Sequence, residues 1–199
     1  MIKVGLTGNI ASGKSTVEKI FREKWNIKVL DVDKIGHNLL KNDKESILKI
    51  KKLFSNIDIE DNDGKLSRDK IARVVFNDIE FKKKLESILH PKIKKILEKF
   101  FEVHKKDEIL IGSVPLLFEA NMEDLFDKII LIISDENIRK NRLMLRNGYT
   151  EEQAKLRIKA QMDQNLKISK SDYIIVNNNN KEELYGNIKN IYNLLNQIK

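Results

Sequence analysis

At 199 residues, with no cysteine and a formal charge of +8, the chain can bury one sizeable core but cannot build a disulfide frame, a thiol nucleophile or a cysteine metal site. Its longest apolar run, residues 109–118, is too short to cross a bilayer, and its N-terminus leads into a strand pattern rather than a signal segment, so a cytoplasmic protein is expected. The positive charge is carried mostly by lysines spread along the whole chain; it suits a polyphosphate ligand, and no nucleic acid, membrane or obligatory protein partner is expected.

Ile2, Val4 and Leu6 alternate as a strand requires. Immediately after them Gly8-Asn9-Ile10-Ala11-Ser12-Gly13-Lys14-Ser15 fits G-x-x-x-x-G-K-[ST], and from Val17 the apolar residues fall at helical spacing. The motif therefore sits between a strand and a helix, where its mechanism needs it. Gly8 and Gly13 admit backbone conformations closed to residues with a Cβ, so successive N–H groups can turn inward around an anion. The helix adds free N–H groups and the positive end of its dipole. Lys14 is then expected on the β- and γ-phosphates and the Ser15 hydroxyl on Mg²⁺, with Gly8, Ala11, Ser12, Gly13, Lys14, Ser15 and Thr16 binding ATP.

Residues 28–31 read as a second strand, and Val32 to Leu40 as a helix. Asp31 and Asp33 straddle that junction at the carboxyl edge of a parallel sheet, where α/β proteins bind ligands. One is expected to cap the helix and the other to accept a proton or hold Mg²⁺ through water; spacing alone does not assign the roles. Residues 44–104 are helical by pattern, with stripes Ile47-Ile50-Phe54, Ile71-Val74-Val75 and Leu85-Ile88-Leu89 and a turn at Asp63-Gly64. Asp58, Glu60, Asp61 and Asp63 do not have calcium-loop spacing, because counting back from Gly64 puts Ile59 at the first ligand position. His90-Pro91 predicts a helix break, with Pro91 opening the next helix.

Ile109 to Ser113 is apolar enough for a buried parallel strand, and Pro115 and Glu119 follow just past its end. Lys128 to Ile133 and Tyr173 to Val176 are the fourth and fifth strands, and residues 182–198 close the chain with a helix. Between those strands, helices over 135–145 and 150–162 meet at Asn147-Gly148, the second opened by Thr150 with Gln153 three residues on. Arg139, Arg142, Arg146 and Arg157 gather there, Arg142 and Arg146 at the spacing of one helix face. Such a hairpin suits a lid that brings cations to a transferring phosphoryl group and excludes water.

Together these segments resemble the dephospho-CoA kinase family. The resemblance spans Gly5 to about Asn178. It rests on the phosphate loop, on Leu30-Asp31-Val32-Asp33 with His37, on Asp63-Gly64-Lys65-Leu66 with Arg68 and on Val75-Phe76. Leu89-His90-Pro91, Val114-Pro115-Leu116-Leu117-Phe118-Glu119, Arg142 to Gly148 and Arg157 to Gln161 complete it. It implies an α/β P-loop kinase fold, a five-stranded parallel sheet flanked by helices, as a single domain over 1–199 with a helical substrate-side insertion about 44–104 and a lid about 135–165. It also implies ATP-dependent phosphorylation of the ribose 3′-hydroxyl of dephospho-CoA, with Asp33 as general base and Lys14 and Arg142 on the transferred charge. Asp33, His37, His90, Pro115, Leu116 and Glu119 would lie on the acceptor side. The chain departs from the family pattern at Asp163, where proline is usual, and at Asn177 to Asn180, where a glycine is usual beside the adenine.

Three other readings use the same loop, one of them a nucleic-acid-binding ATPase, whose signature would be hydrolysis stimulated by nucleic acid. Another small-acceptor kinase would share the loop and lid but not the P-L-L-F-E and H-P segments. A GTP-dependent switch would use D-x-x-G at Asp33 or Asp61 and N-K-x-D near Asn180, but Glu183 is one methylene too long and the arginine-bearing lid has no place in it.

Overall fold

The strand that opens the chain, β1 (Ile2–Gly8), is the middle strand of the sheet, and the phosphate loop leaves directly from it. The computed structural model describes residues 1–198. With β2 (Lys28–Asp31), β3 (Ile109–Ser113), β4 (Lys128–Ile133) and β5 (Tyr173–Val176), β1 forms a five-stranded parallel sheet of order β2-β3-β1-β4-β5. Leu6 faces Ser113 on one side and Ile130 on the other, and Gly8 faces Ile132. All five residues of β3 are buried, as a strand covered on both faces must be.

Two compact units make up the chain: Met1–Leu30 together with the chain from Phe101 onward, and Asp31–Phe100. In the first, Val4, Leu6, Ile111, Ile130, Ile132 and Ile175 of the sheet pack with Val17 and Phe21 of α1 (Lys14–Trp25). Leu184, Ile188, Ile191 and Leu195 join that core from the last helix, Lys181–Gln197; their 4-3-4 spacing makes one buried stripe.

The second unit is helical: α2 (Val32–Asn42), α3 (Lys44–Leu53), α4 (Arg68–Asn77) and most of α5 (Ile79–Val103). Ile50, Phe54, Ile59 and Ile71 form its core, with Phe54 stacked on Phe81 at 5.1 Å. The Asp63-Gly64 turn forms as expected: Gly64 has φ +72°, and Asp61 Oδ1 accepts from the Asp63 and Lys65 N–H groups at 3.0 and 2.9 Å. Its acidic neighbours are occupied by lysines, Asp58 by Lys70 at 2.6 Å and Glu60 by Lys51 at 2.9 Å. At the start of α3, Asp43 accepts from the Ser46 N–H at 2.8 Å and from Lys92 at 2.5 Å, and Lys92 foremost holds its carboxyl down at about 2.

One expectation fails here. His90-Pro91 does not break the chain; α5 runs through Pro91 for 25 residues. Proline in a helix interior costs about 3 kcal/mol, for a lost hydrogen bond and a ring clash. The helix survives because its apolar residues keep their helical spacing across the proline: Leu85, Ile88 and Leu89 pack before it, and Ile93 and Leu97 are buried after it. Burial of side chains this size stabilises by about 1.5–3 kcal/mol each, enough to outweigh one proline.

The expected hairpin is α6 (Glu136–Asn147) and α7 (Glu151–Lys159), joined through Gly148 at φ +67°. Thr150 and Gln153 form a reciprocal capping box. The second helix is shorter than the pattern 150–162 implied; a further helix, α8 (Gln164–Ile168), follows with Asp163 as its N-cap, and Lys181–Gln197 is α9. No described helix is long and apolar enough to cross a membrane.

Candidate active site

Gly8 to Thr16 wraps the end of β1 into the first turn of α1. Gly13 sits at φ +100° and Ala11 at φ 61°, so the loop turns through left-handed backbone twice. At Gly8 space is the constraint: a Cβ there would lie 2.6 Å from Ser12 Oγ and 2.7 Å from the Ile132 carbonyl. α1 starts with no side-chain cap and no acidic residue in its first turn. Its first bonds run from the Thr16 and Val17 N–H groups to the Gly13 carbonyl, which leaves the Lys14 and Ser15 N–H groups ahead of them as a bare end matched to an anion. Ser15 and Thr16 are exposed there.

Lys14 is already held. Its ammonium donates to Glu18 Oε1 at 2.8 Å and to Ser113 Oγ at 2.5 Å, and the Ser113 hydroxyl donates to the same Glu18 oxygen at 2.6 Å. Glu18 is only 3% exposed, and its second oxygen lies 3.5 Å from Arg22.

The arginines of α6 and α7 do not share one face. Arg139 is buried and donates from Nε to the Ser134 carbonyl at 3.0 Å, and burial pulls its pKa below the usual arginine value. Arg142 reaches the phosphate loop from behind, donating to the carbonyls of Ala11 at 3.3 Å and Asn177 at 3.0 Å and to Ser134 Oγ at 3.3 Å. Arg146 is exposed and bonds Asn147, and Arg157 lies over the Tyr149 ring at 4.5 Å. The hairpin's apolar side, Leu143, Ala154 and Ile158, packs on Ile10 and Ala11 of the loop.

Past β3, Pro115 accepts from the Thr7 hydroxyl at 3.2 Å, and Leu116 is half-buried. One oxygen of Glu119 is tied into the structure: Oε1 accepts from the Met162 N–H at 3.2 Å and lies 2.7 Å from the fully buried Lys167 ammonium, an ion-pair distance with poor hydrogen-bond alignment, while Oε2 is buried with no hydrogen-bond partner. Next to Met162, Gln161 accepts from the Ile10 N–H at 2.7 Å, and Asn9 donates to the Met162 carbonyl at 3.1 Å. These bonds tie the phosphate loop, the segment after α7 and the segment after β3 into one network.

In the second unit the two aspartates separate. Asp31 caps α2, its Oδ1 accepting from the Asp33 and Lys34 N–H groups at 3.0 and 3.4 Å. Asp33 stands exposed in the first turn, and His37 is exposed one turn on. His90 is partly buried inside α5, and burial lowers its pKa against the opposing pull of Glu86.

The phosphate loop and the segments at Pro115, Leu116, Glu119 and Arg142 thus come together in the first unit, while Asp33, His37 and His90 belong to the second. Sequence reasoning overlooked Glu18, Ser113 and Lys167, and it named Gln161 and Asn177 without the contacts they make with the phosphate loop. Glu18 was the one open to discovery, because an acid four residues after a lysine shares its helix face. Ser113 and Asn177 stand at strand ends with no local signal.

The residues fit a magnesium nucleotide on the chemistry of their donors. Mg²⁺ takes one or two protein oxygens and keeps waters and phosphates, and an exposed hydroxyl beside a phosphate cradle supplies such an oxygen. Among the described residues no group of three or more His, Cys, Asp or Glu side chains could hold a metal.

A family model described as dephospho-CoA kinase matches residues 2–183. A dephospho-CoA kinase of Fusobacterium nucleatum is 39% identical over 187 residues, 94% of this chain and 94% of that protein. One of Geobacillus kaustophilus is 36% identical over 184 residues, 92% of this chain and 90% of its own length. Among solved structures, dephospho-CoA kinase from Campylobacter jejuni superposes with a TM-score of 0.71 at 31% identity, covering 98% of this chain and 97% of that one.

Proposed function

Because the chain belongs to the dephospho-CoA kinase family, we propose that it transfers the γ-phosphoryl group of ATP to the ribose 3′-hydroxyl of dephospho-CoA, the last step of coenzyme A synthesis. The observation that carries this reading is the uncapped start of α1 behind Gly13, with Lys14 held beside it, inside a chain that matches the family almost throughout.

Gly8 to Thr16 cradles the phosphates through backbone N–H groups. Lys14 places a cation on the transferring group, and Arg142 adds its charge from behind the loop that it braces. Ser15 supplies the protein oxygen for Mg²⁺. When bound, that ion would neutralise phosphate charge. Asp33 accepts the proton from the acceptor hydroxyl, and His37, His90, Pro115 and Leu116 serve the acceptor side, with Glu119 fixing the segment that carries the last two. α6 and α7 act as the lid and residues 44–104 as a substrate-side insertion. The chemistry asks the protein mainly to position groups and stabilise charge. The protein works in the cytoplasm and needs no nucleic acid, membrane or protein partner.

The test is ADP release from ATP and Mg²⁺ with dephospho-CoA, AMP and CMP offered separately. Release with dephospho-CoA alone, with coenzyme A as product, is the expected result. Turnover on a monophosphate and none on dephospho-CoA would keep the ATP site and overturn the acceptor.

A further inference from the structure

We infer that Glu18 is a positioning residue for phosphoryl transfer: its buried carboxylate, with Ser113, pins the Lys14 ammonium at the end of β3 and leaves the remaining N–H of that ammonium to the nucleotide. The inference rests on reading Gly8 to Thr16 as the ATP phosphate site.

Three observations carry it. The first is closure. Lys14 Nζ, Ser113 Oγ and Glu18 Oε1 form a triangle with sides of 2.5, 2.6 and 2.8 Å, every pair within hydrogen-bond reach. An ammonium has three donors and no acceptor, so two are spent on this triangle and one remains. The second is burial. Glu18 is 3% exposed and Ser113 fully buried, so water competes weakly for either, and a charge-assisted bond there is stronger than at the surface. The third is origin. Lys14 and Glu18 are on the same face of α1, whereas Ser113 ends β3, 99 residues away. The ammonium is thus fixed to the sheet as well as to its own helix. A long, flexible lysine that is free in solution must be ordered on each catalytic cycle; one held in place is already ordered when the γ-phosphoryl group moves.

Glu18 is flanked on its other side by Arg22, at 3.5 Å from Oε2. Two cations around one carboxylate leave the local charge positive, so the acid does not cancel the attraction of the site for a polyphosphate. Glu18 sets where the lysine charge sits, and the chemical step is where displacement of that charge is felt.

The experiment compares the full chain with Glu18→Gln, Ser113→Ala and Lys14→Ala. Heteronuclear spectra of lysine ammonium groups, recorded without nucleotide or acceptor, are expected to show, besides that of the buried Lys167, a slowly exchanging signal that Lys14→Ala removes. Glu18→Gln should remove it too, and Ser113→Ala should speed its exchange. In turnover with ATP and dephospho-CoA, Glu18→Gln is expected to lower kcat about tenfold or more while KM for ATP stays within about threefold, with Ser113→Ala smaller in the same direction. Absence of the signal in the wild type, its persistence in Glu18→Gln, or an unchanged kcat in both variants overturns the inference. Should Glu18→Gln fail to fold, Ser113→Ala decides it by the same two readouts, since it leaves the charges of Lys14, Glu18 and Arg22 in place. A wild type inactive on dephospho-CoA refutes the acceptor assignment instead, and the ammonium spectra then judge Glu18 alone.

Discussion

The side-chain amide of Asn177, the residue just past the last strand, lies against the α-carbon of Gly13 and donates to the Ser12 carbonyl at 2.7 Å. A Cβ at Gly13 would collide with that amide, and its φ of +100° is closed to ordinary residues as well. Gly13→Ala is therefore expected to destabilise by about 1–3 kcal/mol and to abolish ATP binding. Adding Asn177→Gly should recover part of the stability by removing the collision but none of the backbone strain. Urea midpoints and ATP calorimetry on the single and double variants check both statements.

Lys14→Ala is expected to lose ATP binding and turnover together, because the ammonium it removes belongs to the first residue of α1, at its bare end. Calorimetry with ATP and Mg²⁺ reads the first and coupled ADP release the second. Retention of both would remove the phosphate-site assignment.

Asp31 caps α2, and Asp33 is the residue proposed above for proton transfer. Asp33→Asn should cut kcat by about 10²- to 10⁴-fold, the usual range for a general base, while ATP affinity stays nearly constant. Asp31→Asn should instead lower stability by about 1 kcal/mol or less, since asparagine is also a good cap. If Asp33→Asn keeps its turnover within a few-fold, the base lies elsewhere.

Lys167 and Glu119 form a buried pair, and breaking one side leaves the other without a counter-charge. Lys167→Ala is expected to cost about 3–5 kcal/mol, whereas replacing both partners with apolar residues of similar size should cost far less. Thermal melts of the single and paired variants separate the two outcomes. Because Glu119 also accepts from the Met162 N–H, the paired variant should loosen the segment after α7 even where stability recovers, a change that hydrogen exchange would detect.

His90 is the titrating group whose burial gives the fold a mildly acidic sensitivity. Its folded pKa lies below the ordinary 6.5, so the unfolded chain binds the proton more readily. The stabilising contribution is full above pH 6.5 and is lost as pH falls through that value toward the lower folded one. Urea midpoints between about pH 7.5 and 5 should decline for the wild type and flatten over that window in His90→Gln.

The sheet was legible because its strands are short apolar runs and its first loop carries a motif with a mechanism. The five strand cores, the turn at Gly64 and the cap at Thr150 all follow from local chemistry. What the sequence concealed was long-range. Pro91 signals a break to its neighbours, yet packing along α5 overrides it. Arg142 and Arg146 share a face by spacing, but only Arg142 finds carbonyls within reach, because those carbonyls come from Ala11 and Asn177. Glu119 reads as a candidate ligand beside a strand end, and nothing local signals that Lys167 and the Met162 N–H share its Oε1.

Arg142 and Asn177 also bear on how the molecule is made. The phosphate loop is synthesised long before either of them. Its backbone carbonyls are secured by a guanidinium 131 residues later and by an amide 165 residues later. A nascent chain cannot close those contacts until β5 has been synthesised, so the loop waits, unbuttressed, until then. Competence to hold a nucleotide thus arrives only after β5 is made, and a chain truncated before Tyr173 would carry the whole motif without the support that shapes it.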